Sequence, residues 1–415
     1  MIARIFILVV IFTILPYLWI DRQYCRFWAR ARAARIYHGK LSKQSLAVIV
    51  AWRRMLLWLP AFVVIAYSGY LTLLPNFLPA NPMLEDVWFM VMALGEVPQF
   101  VFAFFSFVGG LCRRLMHGTR NWGNLLGMAM AVVAFFSFIY GFTIGFRKME
   151  VKRLTIYVPD LPKAFDGYRI VQFSDIHVGS YYGWRRSLPK RDVDSIMAQH
   201  PDLICFTGDL QNVQPSEIEP YKYLLSTLHA KDGVVSVLGN HDYTYYMDVD
   251  DPQEIKRIEH QVQQDERDMG WRLLNNEHIT LHRGGDSIFV AGTENYDKPR
   301  RTNIAKALYG IKPGQFVLML QHIPTQWEET WPSRINAMHG SRDTVLVSPQ
   351  LTLSGHTHAG QISVLGLRPT LFAPFDYGLF EREGRQLYTT SGLGGTVPIR
   401  IGATAEIVVI TLRCQ

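Results

Sequence analysis

The chain has 415 residues, which exceeds what one hydrophobic core usually contains, so at least two structural units are expected. Its net charge of +7 originates in the first 150 residues, where 15 Lys and Arg face 5 Asp and Glu between apolar runs. That distribution argues against nucleic-acid binding, and the four cysteines have no spacing typical of a disulfide framework or a zinc knuckle.

Four apolar segments in the first third of the chain are long enough to cross a bilayer. They lie at about 2–20, 55–74, 87–111 and 123–145. A secretory signal peptide is the competing interpretation of the first segment, but the basic cluster from Arg22 to Lys43 that follows it would resist translocation. We therefore predict an all-α transmembrane bundle of about four helices over residues 1–150.

The loops between these segments alternate in charge. The first loop carries the basic cluster, the second (Pro75 to Asp86) has no Lys or Arg, and the third carries Arg113, Arg114 and Arg120. Because loops rich in Lys and Arg stay cytoplasmic, four spans place everything after Gly145 outside the cytoplasm. We predict a multi-pass protein of the plasma (inner) membrane with an extracytoplasmic C-terminal domain, although the basic residues directly after the last span favour the opposite orientation.

Glu96 is an acidic residue inside the third apolar segment. One interpretation is a functional carboxyl group within the membrane, since ionisable residues there usually serve a function. The other is that Glu96-Val97-Pro98 marks a kink or an interfacial end of the helix. We favour the second interpretation.

From Val151 onward, short apolar and β-branched runs alternate with polar, helix-like stretches, which predicts an α/β layered domain over residues 151–415. The predicted strands are Leu154–Val158, Arg169–Phe173, Leu203–Thr207, Val234–Leu238, Ser287–Ala291, Phe316–Leu320, Val345–Val347 with Leu351–Leu353, Leu387–Thr390 and Glu406–Leu412. The predicted helices are Asp192–Gln199, Glu217–His229, Pro252–Met269 and Thr302–Tyr309.

Five of these strands end in residues that can bind a metal ion. The residues are Asp175 and His177, then Asp209, then Asn240, His241 and Asp242, then His322, and last His356 and His358. Each strand end alone has an ordinary explanation, such as a turn residue, a helix N-cap or a core histidine. Five in succession favour a shared site. The His356-Thr357-His358 turn in particular would direct both imidazoles to the same side of an extended chain.

The residue types indicate metal chemistry. A carboxylate can bridge two ions, and imidazoles favour first-row transition metals over Mg²⁺ or Ca²⁺. A structural zinc site needs four ligands, usually including cysteine, whereas these strand ends supply more ligands than one ion can use. We predict a centre of two divalent ions, which can clamp the attacking and leaving oxygens of a phosphate ester and lower the pKa of bound water toward ~7.

The order Asp-x-His, Gly-Asp, Gly-Asn-His-Asp, His and Gly-His-x-His resembles the calcineurin-like metallophosphoesterase superfamily. Residues 354–361, together with 391–394 and 398–400, are similar to its YkuE-like branch of membrane-associated or exported phosphodiesterases. The resemblance covers residues 151–415 and implies an α/β fold of two stacked, mixed β-sheets flanked by helices. It does not cover the membrane region.

The resemblance also implies a role for each residue. One metal ion would be held by Asp175, His177, Asp209 and His358. The other would be held by Asp209, Asn240, His322 and His356, with Asp209 bridging. His241 would stabilise the transition state or protonate the leaving alkoxide, and Asp242 would orient it. Arg185, Tyr243 and Arg400 are candidate substrate contacts, and for Arg400 a structural ion pair is the competing interpretation.

Together these features predict a membrane-anchored, metal-dependent phosphoric ester hydrolase that cleaves a phosphodiester or phosphomonoester by attack of a metal-bound hydroxide. Manganese, iron and zinc are the candidate metals, and a lipid-linked or cell-envelope compound is the expected substrate. Two alternatives stay open. A sugar-nucleotide lipid pyrophosphatase would need the domain to face the cytoplasm, and a membrane transport or interaction protein would use the domain for regulation. The complete ligand set argues against the second.

Overall fold

The computed structural model describes residues 2–37, 43–74, 83–247, 249–339 and 347–415. The chain divides into two compact units, Met1–Phe142 and Thr143–Gln415. Parts of three predictions lie outside the described residues: positions 38–42 of the basic cluster, positions 75–82 of the second loop, and positions 345 and 346 of the predicted strand Val345–Val347.

The described residues of the first unit are mainly helical. Its helices are α1 (Ile2–Tyr37), α2 (Lys43–Leu73), α3 (Met83–Val91), α4 (Val97–Leu115) and α5 (Gly123–Tyr140). Two π-helical turns, Met92–Glu96 and Gly141–Gly145, connect α3 to α4 and extend α5. Stretches long and apolar enough to cross a membrane are Phe6–Arg26, Ala47–Leu73, Met83–Leu115 and Gly123–Gly145. The prediction of four apolar spans is therefore confirmed, with the second and third longer than expected.

The Met92–Glu96 turn interrupts the third span where the sequence suggested either a kink or a functional carboxyl. A π-helical turn breaks the regular hydrogen-bond ladder of a helix, and Pro98 in the first turn of α4 removes a further donor. Glu96 ends this turn with 1% of its surface exposed. The helix is thus irregular at this point, and both interpretations of Glu96 stay predictions.

Glycines allow α4 and α5 to pack closely. Gly123 and Gly127 form a small-xxx-small pattern at the start of α5, the pattern that lets membrane helices approach each other. A Cβ atom at Gly127 would lie 2.9 Å from the carbonyl oxygen of Phe102, and one at Gly123 would clash with the carbonyl of Phe105. Any larger side chain would push the two helices apart.

The second unit contains two six-stranded sheets. Its strands are β1 (Met149–Val158), β2 (Arg169–Phe173), β3 (Leu203–Phe206), β4 (Val234–Ser236), β5 (Arg272–Leu273), β6 (Glu277–Arg283), β7 (Asp286–Gly292), β8 (Val317–Leu320), β9 (Leu351–Ser354), β10 (Gly378–Arg382), β11 (Arg385–Thr389) and β12 (Ala405–Cys414). The first sheet has the order β1-β12-β2-β3-β4-β5, and the second has the order β10-β11-β9-β8-β7-β6. Each sheet contains parallel and antiparallel pairs.

The two sheets stack face to face around a shared apolar core. Ile170 and Leu203 from the first sheet and Leu318 and Leu351 from the second belong to one buried cluster. The helices of this unit are α6 (Leu188–Met197), α7 (Lys222–Leu225), α8 (Pro252–Asp268), α9 (Ile304–Ala307) and α10 (Pro332–His339). The predicted fold of two mixed sheets flanked by helices is confirmed.

The register of the parallel strands fixes where they end. Phe173 of β2 pairs with Phe206 of β3, and Leu320 of β8 pairs with Leu353 of β9. Because neighbouring parallel strands run in the same direction, the loops that follow them emerge at the same edge of each sheet. This edge carries the residues described next.

The local predictions differ from the structure in a few places. Strands β5, β6 and β10 and helix α10 were not predicted. The helix predicted over Glu217–His229 is wrong, since α7 (Lys222–Leu225) is its α-helical part and short 3₁₀ turns precede it. Pro220 lies in one of these turns, where proline cannot donate to a helix.

Candidate metal centre

The loops after β2, β3, β4, β8 and β9 meet at the edge where the two sheets come together. The backbone N–H of Asp175 donates to the carbonyl of Gly208 at 2.8 Å, which joins the first two loops. Across the sheets, the Gln172 side chain donates to the carbonyl of Ser354 at 3.0 Å, and His322 Nδ1 lies 2.8 Å from the carbonyl of Thr207. The strand-end residues of both sheets are thereby brought into one place.

A first group of ligand atoms comes from Asp175, His177, Asp209 and His358, and these atoms all lie within 4.8 Å of one another. His177 Nε2 lies 3.5 Å from Asp209 Oδ2, and His358 Nε2 lies 3.5 Å from Asp175 Oδ1. His177, Asp175 and Asp209 are almost completely buried. The group contains the four residues that the family resemblance implied for one metal ion.

A second group is formed by Asp209, His322 and His356, again with ligand atoms within 4.8 Å. His322 Nε2 lies 3.1 Å from Asp209 Oδ2, 3.1 Å from Asn240 Oδ1 and 3.3 Å from His356 Nδ1. All four residues implied for the second ion therefore lie around one point. Asp209 belongs to both groups, with Oδ2 facing His177 on one side and His322 on the other.

The hydrogen bonds around the imidazoles show that this arrangement suits cations. His177 Nδ1 and His322 Nδ1 each lie against a backbone carbonyl, of Gln211 at 3.1 Å and of Thr207 at 2.8 Å. A carbonyl accepts hydrogen bonds, so each Nδ1 carries the proton and each Nε2 presents a lone pair in the neutral ring. Buried His177 Nε2 has no hydrogen-bond partner among the described residues. In this buried site the nitrogen lone pairs face a carboxylate oxygen, and two such acceptors repel each other. A divalent cation between them would bind both.

Burial and charge set the proton affinities of these groups. Burial lowers the pKa of His177 and of His356 to about 3, so both rings are neutral ligands. Burial opposes ionisation of Asp209, but the neighbouring His322 and His241 rings outweigh it and hold the pKa of this carboxyl well below its usual range.

His322 is the exception among the imidazoles. Its burial disfavours the charged ring, yet the Asp209 carboxylate outweighs that effect and raises the pKa of His322 to about 9. In the protein alone, a proton on His322 therefore balances the charge of Asp209. A divalent cation between the two would take over that role, because metal ligands must be deprotonated.

The backbone at the site is held in an uncommon conformation. Asp175, His177, Asp209, His356 and His358 all have φ between +48° and +77°. Non-glycine residues rarely adopt this left-handed region, which costs on the order of 1–3 kcal/mol per residue, and such residues cluster at functional sites. The fold thus accepts strain at five of the seven proposed ligands.

Glycine provides the space that these turns need. A Cβ atom at Gly355 would clash with the side chains of Ser174 and Asp175. Because the backbone of this loop approaches so closely, the His356 N–H donates to both Asp175 carboxylate oxygens, at 3.0 and 3.1 Å. The histidine turn is therefore attached directly to the first ligand loop.

His241 lies beside both groups. Its backbone N–H donates to Asp209 Oδ1 at 2.9 Å, and its Nδ1 lies 2.5 Å from the carbonyl of Asn212. The imidazole stacks on the Tyr246 ring with centroids 4.1 Å apart and 11° between planes, and Tyr246 accepts a hydrogen bond from Asn240 Nδ2 at 2.8 Å. Nδ1 is thus used for orientation, and Nε2 remains for chemistry.

The role predicted for Asp242 needs correction. Its carboxylate accepts hydrogen bonds from the backbone N–H groups of Gly239, Asp209, Leu210 and Gln211, at 2.8 to 3.3 Å. Asp242 therefore fixes the loops after β3 and β4 to each other, and the Asn212 carbonyl orients the His241 ring. Sequence reasoning missed Asn212 because a backbone carbonyl leaves no signal in the residue type.

The three candidate substrate contacts have protein partners. Arg185 is buried, and its Nε donates to the carbonyl of Ser180 at 2.9 Å. Tyr243 is buried, and its hydroxyl lies 3.4 Å from Glu294 Oε1.

Arg400 is 1% exposed and donates to the carbonyls of Ser391, Gly392 and Gly394. The hydrogen-bond partners of Arg400 are thus backbone carbonyls, whereas the ion-pair interpretation expected a carboxylate. Substrate contact by Arg185, Tyr243 or Arg400 stays a prediction.

Comparison with known proteins finds one family over this region and several relatives. Residues 168–360 match the family described as calcineurin-like phosphoesterase. A "Transmembrane protein with metallophosphoesterase domain" from Danio rerio is 28% identical, covering 79% of this chain and 75% of the relative. The "Uncharacterized metallophosphoesterase Cj0846" of Campylobacter jejuni is 24% identical over 80% of this chain and 83% of its own. The "Uncharacterized metallophosphoesterase YkuE" of Bacillus subtilis is 28% identical over 64% and 86%.

Proposed function

We propose that the chain is a metal-dependent phosphoesterase of the calcineurin-like family and hydrolyses a phosphodiester or phosphomonoester at a centre of two divalent ions. The family match over residues 168–360 and the metallophosphoesterase relatives support this proposal. The observation that carries this proposal is the position of Asp209 Oδ2, 3.5 Å from His177 Nε2 and 3.1 Å from His322 Nε2. One carboxylate oxygen close to nitrogen atoms of both ligand groups is the arrangement that a bridged pair of ions requires.

The proposed ligands divide into two sets. Asp175, His177, Asp209 and His358 would hold one ion, and Asp209, Asn240, His322 and His356 would hold the other. When bound, such a pair supplies Lewis acidity toward the phosphate oxygens and a nucleophile at neutral pH. Manganese, iron and zinc suit this mixture of imidazole and carboxylate ligands.

His241 is the proposed proton donor to the leaving oxygen. Burial lowers the pKa of the ring, so His241 is neutral before substrate binds. The negative charge of a bound phosphate ester favours the protonated ring, which can then donate from Nε2. The Asn212 carbonyl and the Tyr246 ring hold the imidazole in place during this transfer.

The four apolar spans and the transmembrane relatives indicate a membrane protein. We propose residues 1–150 as the membrane region and 151–415 as the catalytic domain, anchored in the plasma (inner) membrane and facing away from the cytoplasm. In support, residues near the end of the first span and in the α4–α5 turn line a common cavity, so the first and third loops share one side. Their basic residues favour the cytoplasmic side.

Anchoring to the bilayer is the argument for a lipid-linked or cell-envelope substrate. Hydrolysis of a sugar-nucleotide lipid would instead require a cytoplasmic catalytic domain. A C-terminal reporter fusion separates these cases, because a reporter active only in the cytoplasm would contradict the orientation proposed here.

The hydrolase proposal is tested with the full chain in detergent micelles, loaded with Mn²⁺ and given bis-p-nitrophenyl phosphate or p-nitrophenyl phosphate. Asp209→Asn removes the shared carboxylate and is expected to lower turnover by about a thousandfold, corresponding to several kcal/mol of metal stabilisation. Asp194→Asn is the matched control, since the Asp194 side chain is 62% exposed and pairs with Lys190 on the surface of α6. Unchanged turnover in Asp209→Asn would refute the proposal.

A further inference from the structure

A cavity in the first unit has no part in the proposed hydrolysis. It lies between the middle of α1, the end of α4, the turn at 116–122 and the start of α5, and its volume is about 970 Å³. Ligand sites in proteins typically have volumes of about 300–1,000 Å³. The cavity is therefore large enough for a small amphiphilic molecule.

The charge of this cavity is entirely positive. Arg26, Arg113, Arg114 and Arg120 line it, and the described lining residues include no Asp or Glu. None of these four guanidinium groups forms an ion pair with a described carboxylate. Asp21, an acid on the same helix as Arg26, is already bound by Arg54, whose Nε and Nη2 donate at 2.9 and 2.5 Å. Because the guanidinium groups repel one another, an anion placed between them would be attracted to all four and would be stabilised.

Hydrogen bonds connect two polar lining residues of the cavity, Asn121 and Asn124, to the neighbouring helices. Asn121 Nδ2 donates to the carbonyl of Ser106 at 2.9 Å, and Ser106 Oγ donates to Asn124 Oδ1 at 2.7 Å. Trp19 Nε1 donates to the same serine at 2.8 Å. These bonds join α1, α4 and the start of α5. The basic residues thus share the cavity with polar side chains that are held in place, whereas arginines that only set membrane orientation need no such neighbours.

One wall of the cavity is apolar. Leu125 and Met128 on α5 line it and are more than half exposed, as is Trp122 at the start of the same helix. Gly123–Gly145 is an apolar span, so these side chains continue directly from the arginine cluster along a helix suited to lipid contact. Tryptophan is typical of the interface between headgroups and acyl chains. A ligand with a charged head and an apolar tail fits both parts of the wall.

We propose that this cavity binds the phosphate-bearing headgroup of an anionic lipid. The guanidinium groups of Arg113, Arg114, Arg120 and Arg26 receive the phosphate, for which their planar donor geometry is well suited. An acyl chain follows Leu125 and Met128. Basic pockets between membrane helices on the cytoplasmic side are a general mode of anionic lipid recognition, which agrees with the side proposed for these loops. The proposal is independent of hydrolysis at the metal centre.

The test uses the full chain in dodecyl maltoside micelles, titrated with dioleoylphosphatidylglycerol or dioleoylphosphatidylcholine, with bound lipid counted by native mass spectrometry. The double variant Arg113→Gln/Arg120→Gln is expected to weaken phosphatidylglycerol binding by about thirtyfold, because each of the two basic residues near a headgroup contributes about 1 kcal/mol. The matched control is Arg22→Gln/Arg53→Gln, which removes the same charge from exposed positions outside the cavity. Binding by the control is expected to stay within about twofold of the unchanged protein.

Three results would overturn the proposal. Equal binding of the two lipids would remove the headgroup preference, and an equal loss in both double variants would reduce the effect to surface charge. Displacement of phosphatidylglycerol by millimolar inorganic phosphate alone would make the cavity a site for free phosphate. If the first double variant is not monodisperse by size-exclusion chromatography, Arg26→Gln/Arg114→Gln replaces it with the same expected loss.

Discussion

Two tryptophan contacts in the helical unit and one histidine contact in the β-sheet unit have different kinds of partner. In the helical unit, Trp88 Nε1 donates to Ser68 and Trp19 Nε1 donates to Ser106, both at 2.8 Å, so donors meet acceptors between helices. In the β-sheet unit, His322 Nε2 faces the carboxylate of Asp209, and in the neutral ring both are acceptors. Matched pairs stabilise an architecture by themselves, whereas opposed acceptors need a cation or a proton between them. This contrast distinguishes a structural polar contact from a binding site.

The first prediction tests whether the stability of the helical unit depends on the close packing of α4 against α5. Gly127→Leu places a side chain against the carbonyl of Phe102, where a Cβ atom would already be at 2.9 Å. We expect the free energy of unfolding to fall by on the order of 3 kcal/mol. The measurements are a lower thermal transition temperature and a smaller monodisperse fraction after extraction. Gly95→Leu is the control, because a Cβ atom there meets nothing within 4 Å. Equal effects of the two substitutions would contradict the role assigned to α4–α5 packing.

The second prediction tests whether contacts of the metal centre beyond the ligands affect catalysis. Tyr246→Ala removes the ring that stacks on His241 and the hydroxyl bound to Asn240. We expect kcat to fall about tenfold with little change in KM, from a stacking contribution of about 1 kcal/mol and one lost hydrogen bond. Tyr246→Phe keeps the stacking and should lose about threefold.

Tyr245→Ala is the control for that series. The Tyr245 ring is half exposed and packs edge-on against Tyr246, with 5.2 Å between centroids, whereas the ring that stacks on His241 is that of Tyr246. The positioning role fails if Tyr245→Ala and Tyr246→Ala lower kcat equally. It also fails if the loss in Tyr246→Ala appears entirely in KM.

The third prediction concerns a buried carboxyl away from the metal centre. Glu266 is fully buried, and burial, followed by the charge of Asp242, raises its pKa well above the usual range; Ser236 Oγ donates to it at 2.5 Å. The folded state therefore keeps a proton that the unfolded chain releases above pH ~4.3, so this group lowers stability as pH rises.

Glu266→Gln removes that proton uptake and keeps a similar shape. The melting temperature of the variant minus that of the unchanged chain should become more positive from pH 5.5 to 8.5. Each kcal/mol of unfolding free energy that the variant regains should raise this difference by about 2–4 °C. Both melting temperatures are measured by circular dichroism in detergent. A difference that is flat or falls over this range would show that Glu266 is ionised in the folded protein.

The fold was predictable where strands are buried on both faces. β2 has the predicted bounds, Arg169–Phe173, because the apolar residues Ile170, Val171 and Phe173 mark a buried central strand. The missed strands β5, β6 and β10 are all at sheet edges. β6 (Glu277–Arg283) reads Glu-His-Ile-Thr-Leu-His-Arg, whose polar residues weaken the apolar signal that identifies a strand.

The side-chain ligands of the candidate metal centre were predictable, because their residue types can be read from the sequence. Carboxylates and imidazoles after successive strands indicate a metal site, and the structure brings those residues together. The carbonyls that orient the imidazoles, from Gln211, Thr207 and Asn212, belong to the backbone and have no sequence signal. The role of Asp242 was wrong for a related reason, since its partners are backbone N–H groups set by the turn geometry.

The central claim is that Asp209 joins two metal ions in one centre, and the number of ions per chain tests it most directly. The full chain is loaded with Mn²⁺ and desalted, and its metal content is measured by inductively coupled plasma mass spectrometry against protein concentration. Two ions per unchanged chain are expected. Asp209→Asn is expected to lose both, because Asp209 belongs to both ligand groups. A single ion per unchanged chain, or two ions retained by Asp209→Asn, would contradict it.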